Sequence, residues 1–248
     1  MTTSDWLSLG SSIGALCAAL VALFTLIELS RQRKSAYKPD LCVLKMYFDI
    51  KPGFIGQVSN VPFTVDWVPQ ELTQPKTTPF TSIRIVNVGF GAAKNITASW
   101  EFDFNSILEE ANQMAQKTFQ DFYLSQNEHQ LSIASKGTNH YSVNNKMDLF
   151  QIEYLLPSAS QPSGHDIYLP PAYVLLVSAY LFLCVKEKRQ YSQIRVPSIQ
   201  LALSYTDIGK GRHYSKHKLD CRILFMTSPS EGDNTFPRFG IEYAESPA

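Results

Sequence analysis

Hydrophobic and polar positions along the chain fall into three regimes. The first is an unbroken apolar run, in which residues 6–27 hold 22 positions without a charge between Asp5 and Glu28. At 1.5 Å per residue a helix of that length reaches about 33 Å, enough to cross a hydrocarbon core of about 30 Å. The second regime is a period of two. In residues 41–49, Cys42, Leu44, Met46 and Phe48 alternate with more polar neighbours, and residues 80–88 put Ile83 and Ile85 on one face. Residues 95–104 put Ile96, Ala98, Trp100, Phe102 and Phe104 on one face and Asn95, Thr97, Ser99, Glu101 and Asp103 on the other. Such alternation predicts half-buried strands. Further strands are expected over residues 58–68, 131–134, 149–155, 194–205 and 218–226, and residues 87–91 carry the turn chemistry of a hairpin.

The third regime is helical. Residues 105–123 bring Ile107, Leu108, Ala111, Met114, Ala115, Phe119 and Phe122 to three-to-four spacing, opposite Glu109, Glu110, Gln113, Gln116 and Lys117, with Asn105 placed to cap the helix. Residues 169–185 are uncharged over 17 positions and open on Pro170-Pro171. They read first as a buried helix or strand, with a helix in the membrane surface or a second span as alternatives; the span sits at the short limit of about 17 residues. Strands and helices do not alternate throughout, which excludes a doubly wound α/β fold. The pattern predicts a mainly β protein, with an N-terminal transmembrane helix and then a β-sandwich carrying one or two helical insertions.

The chain divides accordingly into an anchor (1–30), a basic linker (31–38), a cytosolic β-sandwich domain (39–226) and a C-terminal tail (227–248). Phe236, Phe239 and Tyr243 leave both docking and mobility open for that tail. A cleaved signal peptide would need basic residues before the apolar run, and residues 1–5 have none. Arg31, Arg33, Lys34 and Lys38 follow it instead, so the positive-inside rule puts the N-terminus outside and the bulk of the chain in the cytoplasm of a bacterium, anchored in the inner membrane by a single pass. Gly10, Gly14 and Ala18 recur every four residues and mark a small-residue stripe for helix self-association, hence a homo-oligomer.

Composition narrows the function classes. With 22 basic and 22 acidic side chains among 248 residues, the net charge is zero, which excludes a histone-like coat; 44% hydrophobic residues exclude a wholly disordered chain. Cys17, Cys42, Cys184 and Cys221 form no C-x-x-C pair, arguing against a zinc ribbon or a disulfide scaffold and fitting a reducing compartment. No phosphate loop, dinucleotide fingerprint, nucleophile elbow or H-E-x-x-H occurs. His213 and His217 share a strand face near Asp207 and Asp220, but among Lys and Arg they make a poor metal set, and His165-Asp166 reads as a polar loop. The sequence therefore predicts no catalytic residues, no metal, no cofactor and no enzyme.

Charge placement is more informative. Residues 101–153 sum to −5, whereas residues 186–222 sum to +6. The second set, Lys186, Lys188, Arg189, Arg195, Lys210, Arg212, Lys216, Lys218 and Arg222, is expected to form a cationic face for an anionic partner. Lipid headgroups, a nucleotide, RNA or an acidic protein patch would each fit.

Residues 84–96, with Asn87, Gly89, Gly91, Ala93 and Asn95 in an N-x-G-x-G-x-A-x-N pattern, resemble a loose group of uncharacterised bacterial single-pass membrane proteins with a cytosolic immunoglobulin-like β-sandwich. Residues 205–215, holding Asp207, Gly209, Gly211 and Tyr214, strengthen the likeness. The resemblance implies fold and topology but no active site, and some proteins of this kind belong to antiphage defence systems. The expectation is a membrane-anchored sensor or effector subunit that binds rather than catalyses. The alternative is a non-catalytic adaptor that tethers a partner protein to the inner membrane.

Overall fold

The computed structural model describes residues 3–52, 65–69, 81–118, 122–128, 130–135, 138–144, 149–227 and 238–246. Helix α1 (Thr3–Ala36) takes up the apolar run and continues through most of the expected linker. It ends three residues short of Pro39, whose ring disfavours helical geometry at Lys38. Its stretch Ser11–Arg33 has a mean hydropathy of 2.2 and is 0% buried, so it is long and apolar enough to cross a membrane and no part of the folded domain covers it.

The rest is mainly β. Strands β1 (Leu41–Val43) and β2 (Met46–Pro52) replace the single strand expected over residues 41–49 and belong to different sheets. Where the chain steps across, the face alternation resets: Leu44 is exposed while Met46, Phe48 and Ile50 are buried. β3 (Val65–Pro69) overlaps the end of the expected strand over 58–68, of which 58–64 lie outside the described residues. β4 (Ser82–Asn87) and β5 (Ala93–Glu101) bury the faces their alternation specified, with Ile83, Ile85, Ile96, Ala98 and Trp100 in the core. They are not a hairpin, however, because they lie in different sheets.

What joins β4 to β5 is a loop built on buried Asn87. Its amide donates to the carbonyls of Gly91 (2.7 Å) and Leu155 (3.2 Å), while its Oδ1 accepts the N–H groups of Asp40 and Gly89 (both 3.1 Å). One side chain thus satisfies four backbone groups and fixes the exit of α1 against this loop.

Helix α2 (Phe104–Thr118) buries Ile107, Ala111, Met114 and Ala115 as its periodicity demands. Asp103, not Asn105, caps it, accepting the Ser106 N–H at 3.2 Å. The helix is shorter than expected, since Phe122 already belongs to β6 (Phe122–Gln126). Then come β7 (Gln130–Ser135), β8 (Thr138–Asn144), β9 (Phe150–Leu155) and β10 (His165–Tyr168). β10 corrects the polar loop read at His165-Asp166: it pairs with β4, and Asp166 accepts from Arg84 Nε at 2.9 Å. Next is α3 (Pro171–Lys186), followed by a single 3-10 turn (Tyr191–Gln193), β11 (Ile199–Thr206), β12 (Arg212–Thr227) and β13 (Arg238–Glu245).

All three sheets are antiparallel, in the orders β1-β4-β10, β3-β2-β13-β12-β11-β5-β9 and β6-β7-β8. Of the two alternatives left open for residues 227–248, docking holds over β13, which lies between β12 and β2 in the largest sheet. Phe239, Ile241 and Tyr243 alternate into the core there, and the apolar area they bury holds the strand in place.

Residues 169–185 adopt the buried-helix reading. Tyr173, Leu176, Val177, Ala179, Leu181, Leu183 and Cys184 of α3 have no solvent exposure, and the helix packs on α2. A helix apolar all round is stable only when enclosed. Its polar groups are provided for: Ser178 donates to the Val174 carbonyl at 2.7 Å, and Tyr173 donates to the Pro197 carbonyl at 2.6 Å. The Tyr243 hydroxyl lies 2.9 Å from that of Tyr173 and ties β13 to α3.

Candidate functional site

β12 is sixteen residues long and its exposure alternates. Side chains at even positions face outward, so Arg212, Lys216, Lys218 and Arg222 form one row, with exposed Tyr214 between the first two. At about 3.3 Å per residue the row extends about 33 Å. Lys210 joins its start from the β11–β12 turn, in a left-handed conformation (φ 65°).

Acidic neighbours temper this row. Lys216 Nζ lies 2.9 Å from Glu101 Oε2, and that hydrogen bond, with one to Tyr214, raises the ammonium pKa. Lys218 is 3.8 Å from Asp220. Glu242, opposite Arg222 in the ladder, is held by Lys45 at 2.8 Å. Among the described residues Arg212 and Arg222 are in no ion pair.

The other expected cations are not part of the row. Lys186 is the last residue of α3, its side chain outside the described residues, and Lys188 follows the helix in a left-handed conformation (φ 57°). Arg189 pairs with Glu187 at 2.8 Å and with Glu110 of α2 at 3.6 Å. Arg195 is exposed between buried Ile194 and Val196. Five of the nine expected cations, counting Lys210, thus cluster along β12, three follow one another at the exit of α3, and Arg195 lies in the segment before β11.

The inward face of β12 carries the histidines in two separate pairs. His213 stacks on Tyr205 at 5.3 Å, with Nε2 2.9 Å from Asp207 Oδ2. That bond, followed by one from the Gly211 N–H, holds the Asp207 carboxyl below its ordinary pKa. His217, 6% exposed, places Nδ1 2.8 Å from Glu245 Oε1 and Nε2 3.0 Å from Ser215 Oγ. This relay can move a proton between a hydroxyl and a carboxylate. Ser215, however, sits within a ladder opposite Leu203 at ordinary backbone angles, not on the strained turn that presents a nucleophile. Asp220 turns elsewhere, accepting from Ser246 Oγ. Among the described residues no group of three His, Cys, Asp or Glu side chains could hold a metal. Sequence reasoning missed Glu245 because it lay in the presumed tail, 28 residues from its histidine.

Gly10, Gly14 and Ala18 all lie in α1. A Cβ at Gly14 would meet nothing within 4 Å and Ala18 is exposed, so at these two positions the stripe faces open surroundings; the surroundings of Gly10 lie outside the described side chains. No family model, curated protein or solved structure matches the chain.

Proposed function

We propose that this protein is a membrane-anchored binding subunit: α1 crosses a bacterial inner membrane once, N-terminus outside, and the β domain, a sandwich of facing sheets, recognises an anionic partner in the cytoplasm through the β12 row. The observation that supports this most is the contrast between the two apolar helices. α3 is enclosed by the domain, whereas α1 leaves Leu16 (62%), Val21 (66%), Phe24 (68%) and Leu26 (64%) exposed. At about 1.5–3 kcal/mol per large apolar side chain, eight such residues from Ile13 to Ile27 in water would cost on the order of 10 kcal/mol, which lipid removes.

In its specific form the subunit is a sensor or effector whose helices self-associate through Gly10, Gly14 and Ala18 when the domain is engaged; an antiviral role rests on the sequence resemblance. Fusions after the last residue test the topology: green fluorescent protein should fluoresce and alkaline phosphatase should stay inactive, and the reverse would overturn it. Gly14→Leu should abolish α1 association in a membrane two-hybrid assay, and unchanged association would remove the stripe from the account.

A further inference from the structure

Tyr214, in the middle of the cationic half of β12, is 62% exposed, and its hydroxyl bonds the Lys216 ammonium, which keeps the ring within the row. Its cross-strand partner is Ser204, whose own partner is Thr97, and Thr97 pairs in turn with Gln151 of β9. Paired residues share a face, so two hydroxyls and an amide continue from the ring across the sheet at steps of about 4.8 Å. Ser204 and Gln151 are exposed. On one side of this polar shelf stands Arg212, two residues before Tyr214. On the other, Lys216 reaches across β11, over buried Ala202, to Glu101 at 2.9 Å.

Along the strand the outward order is cation, aromatic ring, cation, cation, and successive outward side chains stand about 6.6 Å apart. That step is close to the repeat of phosphates on an extended single strand of nucleic acid, whose bases have no complement and are free to stack on an aromatic ring. Other polyanions fit less well. Between Arg212 and Arg222 no outward position carries an aliphatic side chain for a bilayer to take up. An acidic peptide would use the cations and leave the Tyr214 ring idle, and a duplex keeps its bases paired inside.

We infer that β12 binds single-stranded nucleic acid, with phosphates on Arg212, Lys216, Lys218 and Arg222, a base stacked on Tyr214, and Ser204 and Gln151 placed to bond that base at its edge. The inference rests on the reading of the β12 row as the surface for an anionic partner, and names that partner. The contacts of Lys216 with Glu101 and of Lys218 with Asp220 do not oppose it, since exposed ion pairs are weak enough for a phosphate to displace. Arg212 and Arg222, at the two ends of the row, are in no ion pair among the described residues.

The test titrates the full chain in dodecylmaltoside against fluorescein-labelled oligouridine and oligothymidylate, read by fluorescence anisotropy, with a duplex of the same length beside them. Single strands should bind more tightly than the duplex, and a preference between the two says whether RNA or DNA is taken. Tyr214→Ala should weaken binding about 5–150-fold, and Tyr214→Phe should leave it nearly unchanged. The logarithm of the affinity should fall with that of the salt concentration at a slope of about −3 for four cations, less steep by about 0.7 in Arg222→Gln. These side chains are exposed, so the variants keep the fold. Full affinity in Tyr214→Ala, or equal binding of the duplex, overturns the stacked strand; if polyglutamate then binds, and binds more weakly to Arg212→Gln, the anionic-partner reading still stands. No binding of oligonucleotide, polyglutamate or phosphatidylglycerol vesicles overturns both.

Discussion

Removing the Tyr173 and Tyr243 hydroxyls one at a time should have unequal effects. Tyr173 is fully buried and Tyr243 is 1% exposed; the Tyr173 proton is committed to the Pro197 carbonyl, so in the bond between the two hydroxyls Tyr243 is the donor, and Tyr243 also hydrogen-bonds Cys221. Tyr243→Phe deletes the bond to Tyr173 and the weaker one to the Cys221 sulfur and strands no strong donor, for about 1 kcal/mol. Tyr173→Phe takes the donor from the Pro197 carbonyl and leaves the buried Tyr243 hydroxyl only the Cys221 sulfur, for about 2 kcal/mol. The double variant should cost less than the sum of the two by about 1 kcal/mol, because the bond between the two hydroxyls is lost once and not twice. Urea unfolding of the full chain in dodecylmaltoside, followed by near-ultraviolet circular dichroism, measures all three. Equal single effects, or strict additivity, would refute the placement of β13 against α3.

Asn87→Ala should destabilise the domain by about 3 kcal/mol or more in the same assay, since four backbone groups lose their partner at once. Asp207 has a carboxyl pKa lowered by His213, so its contribution is present above the unfolded value of about 3.9 and is lost as pH falls through the lower folded value. Asp207→Asn should therefore lose less stability than the parent between about pH 6 and pH 3, by urea midpoint. Burial pushes the Cys184 thiol up to about 11 and that of Cys221 up to about 12, so at pH 8 both should resist maleimide in the folded chain and react on unfolding, as read by peptide mass spectrometry.

How far the structure was legible depended on how much hydrophobic contrast each segment carries. Ile96, Ala98 and Trp100, or Ile107, Ala111, Met114 and Ala115, announce their buried faces because polar residues occupy the opposite positions. The first half of β12 does not, since its inward face carries His213, Ser215 and His217, and this is why the strand begins six residues earlier than its apolar pattern suggests. β13 was hidden because its alternation, Phe239, Ile241 and Tyr243 opposite Gly240 and Glu242, is only three apolar residues long. The break between β1 and β2 leaves no trace in a period of two, as Leu44 continues the alternation while the backbone changes sheets. Of the expected site, the row on β12 follows from strand periodicity. The pairing of Lys216 with Glu101 and of His217 with Glu245 depends on strand order, which no local pattern encodes.

An anchored subunit requires α1 to reside within lipid, and extraction of membranes with alkaline sodium carbonate addresses that directly. The full chain should remain in the pellet with integral proteins and come away only with detergent. Its appearance in the carbonate supernatant would contradict the anchor and with it the proposed function.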